Sequence, residues 1–371
     1  MASDKKTAGV QGGLPPYWAA PRRGMVGRRS LAPLLAIALV TLPLSTYAQS
    51  QPQTALQKRL QTISQMSAED MAATSAFIRR GYEAQLAYTN SIQNKQVRDI
   101  VLDFVLKPDA TVYGQRATQS WLASPGGGWK SHHAYPGGLS IHNLEWVEVA
   151  SAWADTYEKV YGIKIDRDLV IAALILHDWG KVWFLFDDTS GKIREPEWYP
   201  KAWGIKGKWK WMGGHGAILY AELIHRGLPK ELLFATAAAH FDPYWALEKD
   251  DEGLNPALRE AAQIAKKPAP LVKPEERMAE WWIVQFTDDA WSFSTMVAAK
   301  FAFEIIGGVA KDLGLEADTR DANKVAWFVL SRVGEFKIYD VYQKAGFSQE
   351  AAKQFVRSVV EDPSPYEVPK R

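Results

Sequence analysis

The chain has 371 residues, 47% of them hydrophobic and 23% charged, an ordinary globular composition with enough apolar surface for a large core. It contains no cysteine, which excludes a disulfide framework, thiolate metal ligation and a cysteine nucleophile. Its formal charge of +2 is too small to mark a nucleic-acid-binding surface over the whole molecule.

The N-terminus reads as a leader. RRGMVGRRS is a basic segment, LAPLLAIALVTLPL (Leu31 to Leu44) is an apolar stretch of 14 residues, and STYAQS offers Ala48 as a cleavage point with Thr46 two positions before it. The stretch is short for a membrane span and carries two prolines, so a secretory signal peptide over residues 1–48 is expected in preference to a permanent anchor. Met25 is a candidate start, and Arg28-Arg29 matches a twin-arginine signal only loosely. Cleavage near Ala48 predicts a periplasmic or secreted product of 323 residues. It would hold 38 basic and 41 acidic residues, a net charge of −3.

Residues 49–125 read as a helical extension, with Ser67 and Asp70 at helix-start spacing. PGGGWKSHHAYPGG (Pro125–Gly138) is a Gly/Pro-rich loop. Leu139 to about Tyr161 predicts a long helix, and RDLVIAALILHDWG the next. Residues 182–212 break the helical period and predict a hairpin or an ordered aromatic loop. Gly213-Gly214 opens a helix that Gly227 closes, and Pro229 starts another. Residues 246–275 are charged and Pro-rich, as expected of surface loop with a short helix. EERMAEWWIVQFTDDAWSFSTMVAAKFAFEII returns to helix, and residues 301–371 read as two or three further helices with an irregular tail. The expectation is an all-α bundle over residues 126–300, with a hairpin or aromatic-loop insertion and helical extensions at 49–125 and 301–371.

Five of the seven histidines fall in or beside these helices: His142, His177, His215, His225 and His240. His142 shares a stripe with Trp146, Val149, Ala150 and Trp153. His215 shares one with Ile218, Leu219 and Leu223. His240 follows Leu233, Thr236 and Ala237. Any one of these alone reads as a satisfied core histidine. Together with His177-Asp178, which closes an apolar helix, they call for a common partner, and convergent imidazoles and carboxylates suit a divalent transition metal. WWIVQFTDDAWSF offers a later carboxylate, Asp288 by preference or Asp289. His225 reads as a surface residue at a helix end.

The order His142, His177-Asp178, His215, His240, Asp288, at spacings of 35, 38, 25 and 48 residues, resembles the HD-domain superfamily of metal-dependent phosphohydrolases. GGLSIH, HDWGK and GGHGAILYAELI are similar to its ligand segments, and HHAYPGGL is similar to HD-type 3′–5′ exoribonucleases; the resemblance covers about residues 130–295. It implies an HD-domain helical bundle with two divalent ions, Mn, Fe, Co, Ni or Zn. One would be held by His142, His177 and Asp288 and the other by His215 and His240, with Asp178 between them. Water activated there would attack the phosphorus of a phosphate ester, possibly a nucleotide. AHFDP carries one histidine where some members carry two, which favours two ions over three.

Lys181 then serves either as a phosphate contact or as a helix-terminal lysine. His133 and its neighbour His132 either meet the substrate and protonate a leaving oxygen or are solvated loop residues. KAWGIKGKWKW (201–211) is either a lid that stacks bases or a loop whose tryptophans cap the core. The same ligand set also suits a di-iron oxygenase of the HD superfamily that cleaves a C–C or C–P bond. A third reading is an inactive scaffold protein of the envelope. The acidic balance of the processed chain does not favour nucleic acid, and the oligomeric state is left open.

Overall fold

The computed structural model describes residues 53–109, 112–199, 214–249 and 253–369. The expected leader, its cleavage point and the Lys/Trp segment 201–211 lie outside the described residues. Residues from Pro52 onward form one compact unit.

The centre is built around α6 (Arg167–Leu176). Its LVIAALIL run is buried almost all round, as expected of a helix with no polar face. Asp166 caps it by accepting from the Leu169 N–H, at 3.1 Å. The Asp168 carboxylate accepts from the backbone N–H groups of Gln93 and Asn94, which ties α6 to the turn between α3 (Ala76–Ser91) and α4 (Lys95–Leu106). Around α6 pack α5 (Gly138–Tyr161), α8 (Lys230–Ala238) and α10 (Ala279–Asp289). α7 (His215–Arg226) ends at Gly227 as expected and packs on α9 (Leu254–Ala265). α9 corrects the reading of 246–275 as surface: Leu254, Leu258, Ala261 and Ala265 form a buried stripe that covers α7.

After α6 the chain tightens into a 3₁₀ turn, Trp179–Trp183. Both tryptophans are buried edge to face, and their indole N–H groups reach the carbonyls of Phe104 and Arg116. A hairpin follows, β1 (Leu185–Asp187) paired antiparallel with β2 (Lys192–Arg194). Asp187 shapes its turn by accepting from the Thr189 N–H and from the Thr189 and Ser190 hydroxyls. Those bonds from Thr189 hold the carboxyl down at about 2. Among the described residues these are the only two strands, so the fold is an all-α bundle carrying one short hairpin.

The terminal helices pack on each other. α1 (Ala55–Gln65), α2 (Ala68–Thr74) and α3 meet α12 (Arg320–Lys344), which also packs on α11 (Thr295–Asp312) and α13 (Gln349–Glu361). Ser67 and Asp70 form the expected reciprocal cap of α2. The segment 275–306 is helical as expected, and a turn at Ala290–Ser292 divides it into α10 and α11. The Arg332 guanidinium is buried and donates to the Met71 carbonyl and the Thr74 hydroxyl. The tail is not irregular, because Val368 N–H bonds the Thr74 carbonyl.

Candidate metal centre

Each expected ligand sits near a helix end, gathered about the C-terminal end of α6. His142 lies in the first turns of α5. His177 and Asp178 follow the last turn of α6, and His215 opens α7. His240 follows α8, and Asp288 lies in the last turn of α10. All six side chains are nine-tenths buried or more.

The geometry divides them by the two oxygens of Asp178. Its Oδ2 lies 3.0 Å from His142 Nε2 and 3.3 Å from His177 Nε2. Its Oδ1 lies 3.3 Å from His215 Nε2 and 3.6 Å from His240 Nε2. Asp288 adds Oδ1 at 3.2 Å from His177 Nε2 and 3.4 Å from His142 Nε2, and Oδ2 at 3.4 Å from His240 Nε2. The two carboxylates thus face all four imidazoles.

Neighbouring groups turn the rings. Trp146 donates to His142 Nδ1 at 3.0 Å, the Leu174 carbonyl lies 2.7 Å from His177 Nδ1, and the Tyr220 hydroxyl lies 3.0 Å from His240 Nδ1. In each case Nε2 is left to face the carboxylates; at His177 and His240 the oxygen partner can accept the Nδ1 proton, as outer partners of metal-binding histidines do, whereas at His142 the indole donor makes Nδ1 the acceptor. Gly180 makes the α6–α7 approach possible: a Cβ there would stand 2.4 Å from the His215 carbonyl oxygen. That is a physical reason for glycine in HDWGK.

Charge follows the geometry. Burial alone would raise Asp178 and Asp288, but Lys181 and His177 beside the first, and His177 and His142 beside the second, hold both well below the usual carboxylate range. Burial opposes a charge on His177, yet Asp178 and Asp288 outweigh it and lift the ring to about 10. Burial pushes His240 down to about 3, which leaves it neutral and available as a ligand. Asp178 Oδ1 is buried without a hydrogen-bond partner and is flanked by His215 and His240. An orphaned buried oxygen between two imidazoles is costly unless a cation completes it, and the N/O donor set suits a divalent transition metal. Two overlapping groups, His142–His177–Asp288 and His177–Asp178–His240, have ligand atoms close enough together to hold an ion.

The cluster floors a cavity of about 370 Å³ whose wall includes Gly127, Gly128, His132, Lys181, Arg194 and Trp291. Lys181 reaches the cavity wall from beyond α6. It lies in the 3₁₀ turn, buried, bonded to the Asp178 carboxylate and to the Gly126 carbonyl at 2.5 Å. His132 lines the cavity, with its ring stacked 4.5 Å from Trp291, while His133 is absent from the wall and points at Glu145, 3.3 Å away. His133, expected at the substrate, thus does not line the cavity, whereas its neighbour His132 does. Asp289 reaches the wall beside Asp288, and burial together with that neighbour raises its carboxyl to about 7. His225 is exposed at the end of α7, as expected. Glu145, Trp291 and Arg194 were not anticipated. Glu145, three residues beyond His142 on the same helix, carried the one available signal.

Over 160 residues, 43% of its length, the chain is 27% identical to dihydroneopterin 2′,3′-cyclic phosphate phosphodiesterase of Methanocaldococcus jannaschii. Over 94 residues it is 43% identical to 3′-5′ exoribonuclease YhaM of Bacillus subtilis. The chain is similar to these two proteins over part of its length, and the matches cover 59% of the archaeal protein and 24% of the bacterial one. No family model and no solved structure matches the chain.

Proposed function

We propose that the chain is a metal-dependent phosphohydrolase that cleaves a phosphate ester, with a phosphodiester favoured. The observation that carries this reading is one buried carboxylate, Asp178, whose two oxygens face separate imidazole pairs at the floor of a cavity. His142, His177 and Asp288 would hold one divalent ion, His215 and His240 a second, and Asp178 would share both. Such ions, Mn, Fe, Co, Ni or Zn, supply polarisation of water and of phosphoryl oxygens.

The chain's own groups supply the rest. Lys181 and Arg194 place two cations on the wall, suited to the non-bridging oxygens of the ester. His132 lines the cavity stacked on Trp291, and burial keeps its pKa well below the ordinary value, so the neutral ring is suited to meet the substrate by hydrogen bonding or to accept a proton. The 370 Å³ volume suits a nucleotide-sized ester. The names of both relatives, one a cyclic-phosphate phosphodiesterase and the other an exoribonuclease, support the diester preference. They give no support to the oxygenase or scaffold readings.

The test is hydrolysis of bis(p-nitrophenyl) phosphate, p-nitrophenyl phosphate, a 2′,3′-cyclic nucleotide and a short RNA by protein loaded with each metal in turn. Diester cleavage abolished by EDTA supports the reading, and no cleavage with any metal sinks it. We further propose export, supported by the basic and apolar segments before Ala48. N-terminal sequencing of the processed protein from cell fractions tests this, and an intact N-terminus in the cytoplasm refutes it.

A further inference from the structure

The histidine loop before α5 is held by a residue 202 positions later in the chain. His133 has a φ of +50°, a left-handed conformation that is uncommon outside glycine and that persists only when the surroundings over-determine it. All of its backbone polar groups are engaged. Its carbonyl accepts from the N–H groups of Gly126 and Tyr135, both at 2.9 Å. Its own N–H donates to Glu335 Oε1 at 2.7 Å. Glu335 is 2% exposed and comes from α12, in the C-terminal helical region.

α12 is bent for this contact. Gly334 interrupts it with φ +69° and ψ 167°, a backbone shape that strongly favours glycine, and a Cβ there would press on the Phe77 ring at 3.1 Å. The bend turns the Glu335 carboxylate toward the loop. On the far side of His133, Glu145 of α5 takes the ring at Nε2, 3.3 Å away, and is itself held by the Thr295 hydroxyl at 3.2 Å. Burial would keep His133 neutral, but Glu335 and Glu145 outweigh it and raise its pKa. The fixed His133 ring meets that of the preceding residue, His132 Nδ1 lying 3.2 Å from His133 Nδ1. His132 turns into the cavity, stacked on Trp291 and 4.9 Å from the His142 ring.

We propose that Glu335 is a positioning residue for the catalytic cavity, holding the His133 backbone in its left-handed form so that His132 faces the substrate. The C-terminal helical region is then part of the active-site machinery. The kinetic arm of its test rests on the phosphohydrolase reading, and the spectroscopic arm does not.

The experiment uses the full processed chain with ¹³C-labelled histidine. The His132 ring resonance is assigned by its loss in His132→Ala, and it should be displaced upfield by the Trp291 ring. Glu335→Ala should lose that displacement and keep the metal content of the wild type. With bis(p-nitrophenyl) phosphate it should lower kcat about 10- to 100-fold with KM little changed, the scale of a misplaced reacting group. Glu335→Gln, whose amide oxygen still accepts from the His133 N–H, should restore both. In a His132→Ala background, Glu335→Ala should cost nothing further, because the two act through one group. If Glu335→Ala does not fold, Glu335→Asp, which draws the acceptor back by one methylene, should show the same loss of displacement. An unchanged His132 resonance in the folded variant overturns the proposal, as does an equal kcat loss in the His132→Ala background. A wild type that cleaves no ester, with the resonance behaving as described, removes the functional reading and leaves this one standing.

Discussion

Asp178→Ala removes the carboxylate on which four imidazoles converge. In the metal-free protein it takes away the partner of buried Lys181 and one of the two anions that hold His177 charged. Breaking one side of a buried pair costs about 3–5 kcal/mol. Relief of the crowding between Asp178 and Asp288 offsets part of this, so a net loss at the lower end is expected. The sharper signature is linkage. A site filled at 100 times its Kd stabilises a protein by about 2.7 kcal/mol. At about 2–4 °C per kcal/mol for a domain of 150–250 residues, and less for a longer chain, this raises the wild-type Tm by roughly 5 °C. Asp178→Ala should lose this metal-dependent rise, because each ion would lose a shared ligand. Thermal unfolding followed by circular dichroism, in EDTA and in Mn²⁺, reads the shift, and elemental analysis of the dialysed protein reads the ions retained. A variant that keeps about two ions per chain and the full rise in Tm refutes the shared-carboxylate geometry.

Gly180→Ala should drive a methyl into the His215 carbonyl, destabilise the fold by about 1–3 kcal/mol and weaken the His215–His240 ion first; metal titration by calorimetry reads this, and two unaltered binding events would contradict it. Tyr220→Phe, which removes the hydroxyl oxygen that can accept from His240 Nδ1, should weaken metal binding about 10- to 100-fold, measured by competition with a chelator; equal affinity would mean that the hydroxyl does not orient the ring. Lys181→Met should lower kcat on a diester about 100-fold with metal content held, and an unchanged kcat would return Lys181 to a purely structural role. Asp289 has a folded pKa raised to about 7, so its contribution to stability is full below the unfolded value and is lost as pH rises through about 7. In EDTA-treated protein Asp289→Asn should therefore flatten the fall in stability between about pH 4 and 7, read by urea unfolding at several pH values, and an identical pH slope would argue against the raised carboxyl.

The helices around the centre were legible because their signals are local. The apolar run of α6, the Ser67 cap of α2 and the Gly227–Pro229 break between α7 and α8 each act within a turn or two of chain. α9 was misjudged because its buried stripe is short and half of it is alanine, so charge and proline dominated the local reading while packing against α7 decided the outcome. The break between α10 and α11 was missed for a related reason: composition favours helix throughout Ala279–Asp312, and the turn at Ala290–Ser292 carries no proline or glycine to mark it.

The ligand types and their order were readable from the sequence, since metal chemistry restricts the donors to imidazole and carboxylate and helical period turns them inward. What remained for the folded chain was direction. Which Asp178 oxygen meets which imidazole, whether Asp288 or Asp289 enters the cluster, and whether His132 or His133 faces the cavity depend on ring and carboxylate orientations set by packing. The grip of Glu335 on His133 spans 202 residues and depends on a bend at Gly334. No local pattern encodes such a contact, because it exists only once α12 has packed beside the histidine loop.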